Sequence, residues 1–240
     1  VLFSVSLVYL SHFASLYTQL PGLFGQSGLA PIAAREADVS SCWLLPLFRA
    51  PELGMEVLTL AGMAVALAQL ATPGAGLRQG APGVATYTLQ WAIWHDLVAS
   101  GGRFTSYQMD TLLLDAAPLC LLAASGLCRG AATFGFRWLF LRLYLGGGAV
   151  KLLSCDASWR DLSALHWHFQ SQPLPNPIGL AAHSLLPDGL GSCSTLSALI
   201  FEIALAFTFL APSGAVRLAA FGAQAFLQAG IALAGNFGPF

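Results

Sequence analysis

Charge is what this sequence most lacks: Asp, Glu, Lys and Arg make up 9% of 240 residues, against about 25% in an ordinary soluble domain. With 56% hydrophobic content and a mean hydropathy of +0.70, too few charges are present to cover a water-facing surface, and a normal soluble globule is excluded. The few charges nearly balance, at a formal −1, and the ten basic residues are scattered. No field attracts a polyanion, so nucleic acid is excluded as a partner. No G-x-S-x-G elbow, Walker loop or Rossmann glycine pattern occurs, which removes support for serine-hydrolase and nucleotide-driven chemistry. No C-x-x-C or H-E-x-x-H completes a tetrahedral metal site. His166 and His168 form an H-x-H pair, with His183 further on, but residues two apart share a side only in a strand, and helix is expected there. No metal or cofactor is therefore expected. The first segment has neither a basic start nor an A-x-A cleavage site, so it reads as a retained span in a fragment of a longer chain.

What is present is a series of apolar runs of about 20 residues, the length an α-helix needs to cross the hydrocarbon core of a bilayer. Seven spans are expected: Leu2 to Leu20, Pro51 to Ala71, Pro82 to Ala99, Thr105 to Ala124, Thr133 to Leu153, Ser192 to Ala211 and Ala215 to Ala234. Breakers separate them, as in TPGAG after Ala71, SGG after Ala99, SGLCRG after Ala124 and PSG after Ala211. The fold class is all-α, a polytopic transmembrane helix bundle forming a single domain over residues 1–240, with membrane lipids as its surroundings. Arg78, Arg129 and Arg217 lie in short loops, and Arg137 lies just inside the fifth span. Positive short loops stay cytoplasmic, which puts the amino terminus in the cytosol and the loop over residues 155–190 on the lumenal side. Cys42, Cys155 and Cys193 then fall toward the lumen, where a disulfide is permitted; buried thiols packing as small hydrophobes are the alternative.

Several charges fall inside the expected spans. Asp110 and Asp115 lie in the fourth, and Arg137, Arg142 and Lys151 in or near the fifth. Each costs about 2.5 to 3.5 kcal/mol at mid-depth unless it is neutralised. An antiparallel hairpin turning near Cys128 sets Asp115 opposite Arg142 and Asp110 between Arg142 and Lys151, while Gln108 shares a face with Asp115. Gly146, Gly147 and Gly148 would let a neighbouring backbone approach. Glu202 is a further isolated acid, with Arg217, His166 and His183 as candidate partners. Gln224 and Gln228, four apart, would hydrogen-bond to a neighbouring helix. A proton relay or catalytic pocket is the alternative use of such charges.

The segment CDASWRDLSALHWHFQSQPLPNPIG, from Cys155 to Gly179, is polar and stiff by contrast. SWRD fits a capping box with Ser158 as N-cap and Asp161 at N3, starting a helix whose apolar face carries Trp159, Leu162, His166 and Phe169. Trp159 and Trp167 suit headgroup depth. Pro173, Pro175 and Pro177 would end that helix and hold the chain in polyproline II, so that the segment forms a rigid lumenal cover.

Three stretches, SYQMDTLLLDAA (Ser106 to Ala117), RWLFLRLYLGGGAVKLLSCDASWRDLSALHWHFQSQPLPNP (Arg137 to Pro177) and AGNFG (Ala234 to Gly238), resemble the lipase maturation factor family of endoplasmic-reticulum membrane proteins. Phe13 to Ile32 is similar to that family's first span and following loop. The resemblance implies a multi-pass protein of the endoplasmic-reticulum membrane that helps secreted homodimeric lipases, of the lipoprotein lipase type, reach an active folded state, with no catalytic activity. The family's pattern carries over to Asp110, Asp115, Arg137, Arg142, Lys151, Asp156, Trp159, Arg160, Asp161, His168, Gln172, Pro173, Pro175 and Pro177. Departures from it are Met109 for a tryptophan, Asp115 for a glutamate, Cys155 for a glycine, and Trp167 to Ser171, which lack the family's acidic group. The chain stops at Phe240, where the family continues into a lumenal domain. The alternative reading is an integral membrane enzyme or transporter, distantly similar to vitamin K-type carboxylases, with Lys151 or His168 as its base.

Overall fold

The computed structural model describes residues 1–34, 39–172, 176–185 and 187–235. Every regular element among them is helical. The chain divides into two compact units, Val1–Gly135 and Phe136–Phe240.

In the first unit, α1 runs over Leu2–Leu23, α2 over Pro51–Ala71, α3 over Gly80–Gly101 and α4 over Gln108–Ser125. Arg129–Leu153 forms α5, which carries the chain past the unit boundary. The ends of these helices follow from local chemistry. Pro51 sits at the start of α2, where its missing N–H costs nothing. Gly102 and Gly126 take positive φ of 56° and 73° just past the ends of α3 and α4, a conformation open to residues without a Cβ. The fourth helix begins three residues later than the expected Thr105. Asp110 reaches back to the Tyr107 amide in a capping box, and Thr105 donates instead to the Val98 carbonyl at 2.9 Å, covering the end of α3.

Between helices in lipid there is no hydrophobic driving force, so close packing and hydrogen bonds hold the bundle. The Phe13 ring of α1 lies against Gly62 of α2 so closely that a Cβ there would stand 2.4 Å from it. Trp94 of α3 is buried edge-on to Phe13 at 5.4 Å and donates its indole N–H to the Asp110 carbonyl at 3.1 Å. At the other end of the unit, Ser6 donates to Gln69 at 2.8 Å, Gln69 to Thr86 at 2.9 Å, and Tyr87 to the Leu2 carbonyl at 2.8 Å. These bonds join three helices through the wholly buried side chains of Ser6, Gln69 and Tyr87 and the partly exposed Thr86.

The second unit holds the rest of α5, then α6 (Ala157–Arg160), α7 (Ala164–Gln170), α8 (Pro177–Leu185), α9 (Asp188–Leu199) and α10 (Gly214–Ala234). The expected sixth span is a composite. After α9 the chain passes through a π-turn over Ile200–Ala204 and a 3-10 stretch over Leu205–Leu210. Among the described residues three helices are long and apolar enough to cross a membrane: Pro51–Ala71, Gly189–Leu210 and Gly214–Ala234. The other four expected spans each coincide with a helix.

The polar segment differs from its expectation in two ways. Asp156, not Ser158, is the N-cap of α6, its carboxylate accepting from the Ser158 amide at 2.9 Å. The single amphipathic helix expected onward from Ser158 is broken in two, because Leu162 adopts a φ of 64°. Asp161 turns away from the helix start and accepts from the Ser163 amide and hydroxyl at 2.9 and 2.6 Å, which holds its carboxyl below the usual range. Pro173 and Pro175 lie outside the described residues. Pro177 is not polyproline II but the first residue of α8.

Candidate functional site

The densest chemistry in the second unit surrounds Lys151, the only lysine of the chain. It stands in the last turn of α5 and forms an ion pair with Glu202. Side-chain exposures of 24% and 12% make this a largely buried pair. None of the three partners expected for Glu202 holds it. Arg217 donates to the Ala211 and Pro212 carbonyls at 2.6 and 2.7 Å, where it closes the end of the preceding helix. His183 contacts Gln170 at 2.7 Å and the His166 ring at 4.5 Å between centroids. Asp110, expected between Arg142 and Lys151, caps α4.

The backbone is shaped to bring the pair together. Gly148 of α5 lies against the π-turn so tightly that a Cβ would stand 2.5 Å from Ile203 and 3.2 Å from Glu202, while one at Gly147 would lie 3.7 Å from the Glu202 carboxylate. Gly146 faces open space. The expectation for the glycine run thus holds for two of its members. In the π-turn the Leu205 amide reaches five residues back to Ile200, a pattern that inserts an extra residue and disturbs the regular ladder. Gln224 of α10 donates to the Phe201 carbonyl at 2.6 Å there, and Gln228 donates to the Tyr144 hydroxyl at 3.3 Å. Both glutamines act as the interhelical glue expected of them.

Above the pair lies the cover. The Lys151 ammonium is 5.3 Å from the centroid of the Trp159 ring, within the range of a cation–π contact. His168 of α7 is half-buried, and burial, then the nearby charge of Lys151, push its imidazole below the usual value. The cover is tied down at its far end by backbone carbonyls of the last turn of α10 and of Gly235 just past it. Gln172 donates to Ala234 at 2.8 Å, and Asn176 to Leu233 and Gly235 at 3.2 and 3.3 Å. Asn176 also accepts from the Ile178 and Gly179 amides, capping α8. Gly179 sits so close to the Ala234 carbonyl that a Cβ would stand 2.7 Å from it.

Of the residues singled out from sequence, Lys151, Glu202, Trp159 and His168 come together, and Asp156, Asp161 and Gln172 shape the cover around them. Arg160 ends α6 and is exposed. Gln108 and Asp115 share an exposed face of α4 in the first unit; Arg137 and Arg142 stand on α5 in the second. Cys42, Cys155 and Cys193 are thiols, the last two exposed and the first buried with its sulfur 3.5 Å from the Asp96 carbonyl.

Asp96 itself was not expected to matter. It is completely buried near the end of α3 and accepts from three successive amides, Trp43 at 2.9 Å, Leu44 at 2.5 Å and Leu45 at 2.9 Å. His95 stacks on Trp43 at 4.0 Å and contacts the same carboxylate at 3.3 Å. An acid four residues before the SGG breaker was the available signal.

Chemically, the centre neutralises charge and fixes packing. Among the described residues no group of three or more His, Cys, Asp and Glu side chains is placed to hold a metal ion.

Comparison with known proteins accords with this architecture. Residues 1–240 match the lipase maturation factor transmembrane domain. Lipase maturation factor 2 of Mus musculus is 35% identical and that of Homo sapiens 34%, each over 98% of this chain and 37% of the relative. Lipase maturation factor 1 of Bos taurus is 28% identical over 75% of this chain and 35% of its own length. The chain thus spans little more than a third of these relatives. No solved structure matches it. The chain belongs to the lipase maturation factor family, and its matched region is that family's transmembrane domain.

Proposed function

We propose that this chain is the membrane-embedded scaffold of an endoplasmic-reticulum factor that helps secreted homodimeric lipases fold, assemble and leave the cell in active form. The amino terminus lies in the cytosol, the seven long helical segments each cross the bilayer, and the cover over Asp156 to Gln172 faces the lumen. The scaffold has no catalytic role; it holds a client-facing lumenal part in place.

The relatives' name supports the lipase role. The observation that carries the scaffold reading is the Lys151–Glu202 pair, closed against Gly147 and Gly148 and covered by Trp159. A lysine held by a carboxylate and an aromatic ring is charge-compensated, whereas a catalytic base needs a free lone pair facing substrate. The experiment is the specific activity of a homodimeric lipase secreted from cells lacking the protein. A fall in activity per secreted molecule, restored by re-expression, is the expected result. Unchanged secretion of fully active lipase overturns the reading.

A further inference from the structure

The first unit contains a cleft of about 610 Å³ between the last turns of α1 and the first turns of α2, a volume in the range of small-molecule sites. Its wall is largely apolar, with Phe24, Leu53 and Met55 among its side chains, and Tyr17 adds a second ring. Two carboxylates, Glu52 and Glu56, interrupt that wall. They lie four apart on α2 and so share one face. Among the described residues no Lys, Arg or His lines the cleft. The Glu52 Oε1 atom is shut off from solvent and accepts no hydrogen bond among the described residues. A shielded carboxylate oxygen without a donor is costly, and a second acid one turn away raises that cost. Both acids line the cleft, and Glu56 is exposed there.

We propose that this cleft binds an amphiphile with an organic ammonium head, its charge between Glu52 and Glu56 and its chain along Phe24, Leu53 and Met55. The sign follows from two acids with no base among the described residues of the wall. A bare metal ion is disfavoured because Ca²⁺ and Mg²⁺ need about six oxygen ligands, and this wall is mostly carbon. Aromatic rings such as Tyr17 and Phe24 suit an ammonium, whose charge is attracted to a ring face. The position, at the ends of two long apolar helices, is where a lipid presents its head with its chain directed inward. The site is independent of the Lys151 centre and of the lipase reading.

The test uses the full chain in uncharged maltoside micelles, with decyltrimethylammonium added below its micelle-forming concentration and the thermal midpoint followed by tryptophan fluorescence. Saturable stabilisation is expected, with affinity weakened at least about tenfold in Glu52→Gln and in Glu56→Gln. Decyl sulfate and added decyl maltoside should leave the midpoint in place. A response to decylphosphocholine as well points to a phospholipid head; a response to decyltrimethylammonium alone points to an ammonium amphiphile without a phosphate, and both fit the proposal. Leu53→Trp, a half-exposed position, fills the cleft without touching either acid and should abolish the response if the Gln variants fold poorly. Equal stabilisation by decyl sulfate, unchanged affinity in both Gln variants, or a response to a lysine-rich peptide with none to decyltrimethylammonium overturns it.

Discussion

The ammonium of Lys151 and the carboxylate of Glu202, 51 residues apart, meet across a helix contact made possible by the missing side chain of Gly148. Two charges that would each be costly in the bilayer cancel there, and their removal one at a time exposes that dependence. Lys151→Met leaves Glu202 unpaired and should destabilise the chain by about 3 kcal/mol, as should Glu202→Leu. The double substitution, which leaves no charge behind, should lie within about 1 kcal/mol of the parent. Unfolding in mixed micelles measures the cycle; additive losses would show that the two residues act separately.

Asp96 makes a prediction of the same kind for the first unit. Asp96→Asn keeps the shape but offers one acceptor oxygen where three amides now converge, and its NH₂ faces donors. A loss of about 2 to 3 kcal/mol is expected. The amides of Trp43, Leu44 and Leu45 should exchange hydrogen faster by at least about tenfold, measured by mass spectrometry.

The glycine run supplies an internal control. Gly148→Val drives methyl groups into Ile203 and should cost about 1 to 3 kcal/mol, whereas Gly146→Val faces open space and should change thermal stability by less than about 1 kcal/mol.

His168 sets a pH dependence. Its imidazole is held below the ordinary value by burial and by Lys151, so the folded chain binds that proton less readily than the unfolded chain. Protons are then taken up on unfolding, and stability falls as pH drops below about 6.5. In His168→Asn the decline of the thermal midpoint between pH ~7.5 and ~5.5 should be shallower. An identical decline would assign the slope to other groups.

The helices were legible because bilayer-length apolar runs bounded by Gly and Pro leave the backbone few choices; Pro51–Ala71 matches its expected range residue for residue. Positions 224 and 228 were legible for a related reason, since an amide on an apolar helix has to find a partner. The partner of Lys151 was not. Distances from a hairpin turn set Asp110 between Arg142 and Lys151, but a π-turn cannot be read from hydropathy, and it is that turn, pressed on Gly148, which delivers Glu202. Local competition defeated the cover's helix: Asp156 reaches the Ser158 amide before Ser158 can act as cap, and the positive φ of Leu162 leaves no sequence mark. The role of Asp96 leaves no mark in the sequence beyond its acid, because its donors are backbone amides, which every sequence has.

The central claim, that the Lys151–Glu202 centre is packing rather than chemistry, is tested most directly by rescue of lipase maturation. Cells whose own lipase maturation factor has been removed receive the protein carrying this chain, as parent, Lys151→Met, Glu202→Leu or the double variant, and secreted lipase activity per molecule is measured. The account predicts that the double variant restores at least about half of the parental activity while each single variant restores less than about a tenth, in step with its stability. A double variant that accumulates to the parental level yet restores nothing would contradict it and assign Lys151 a chemical role.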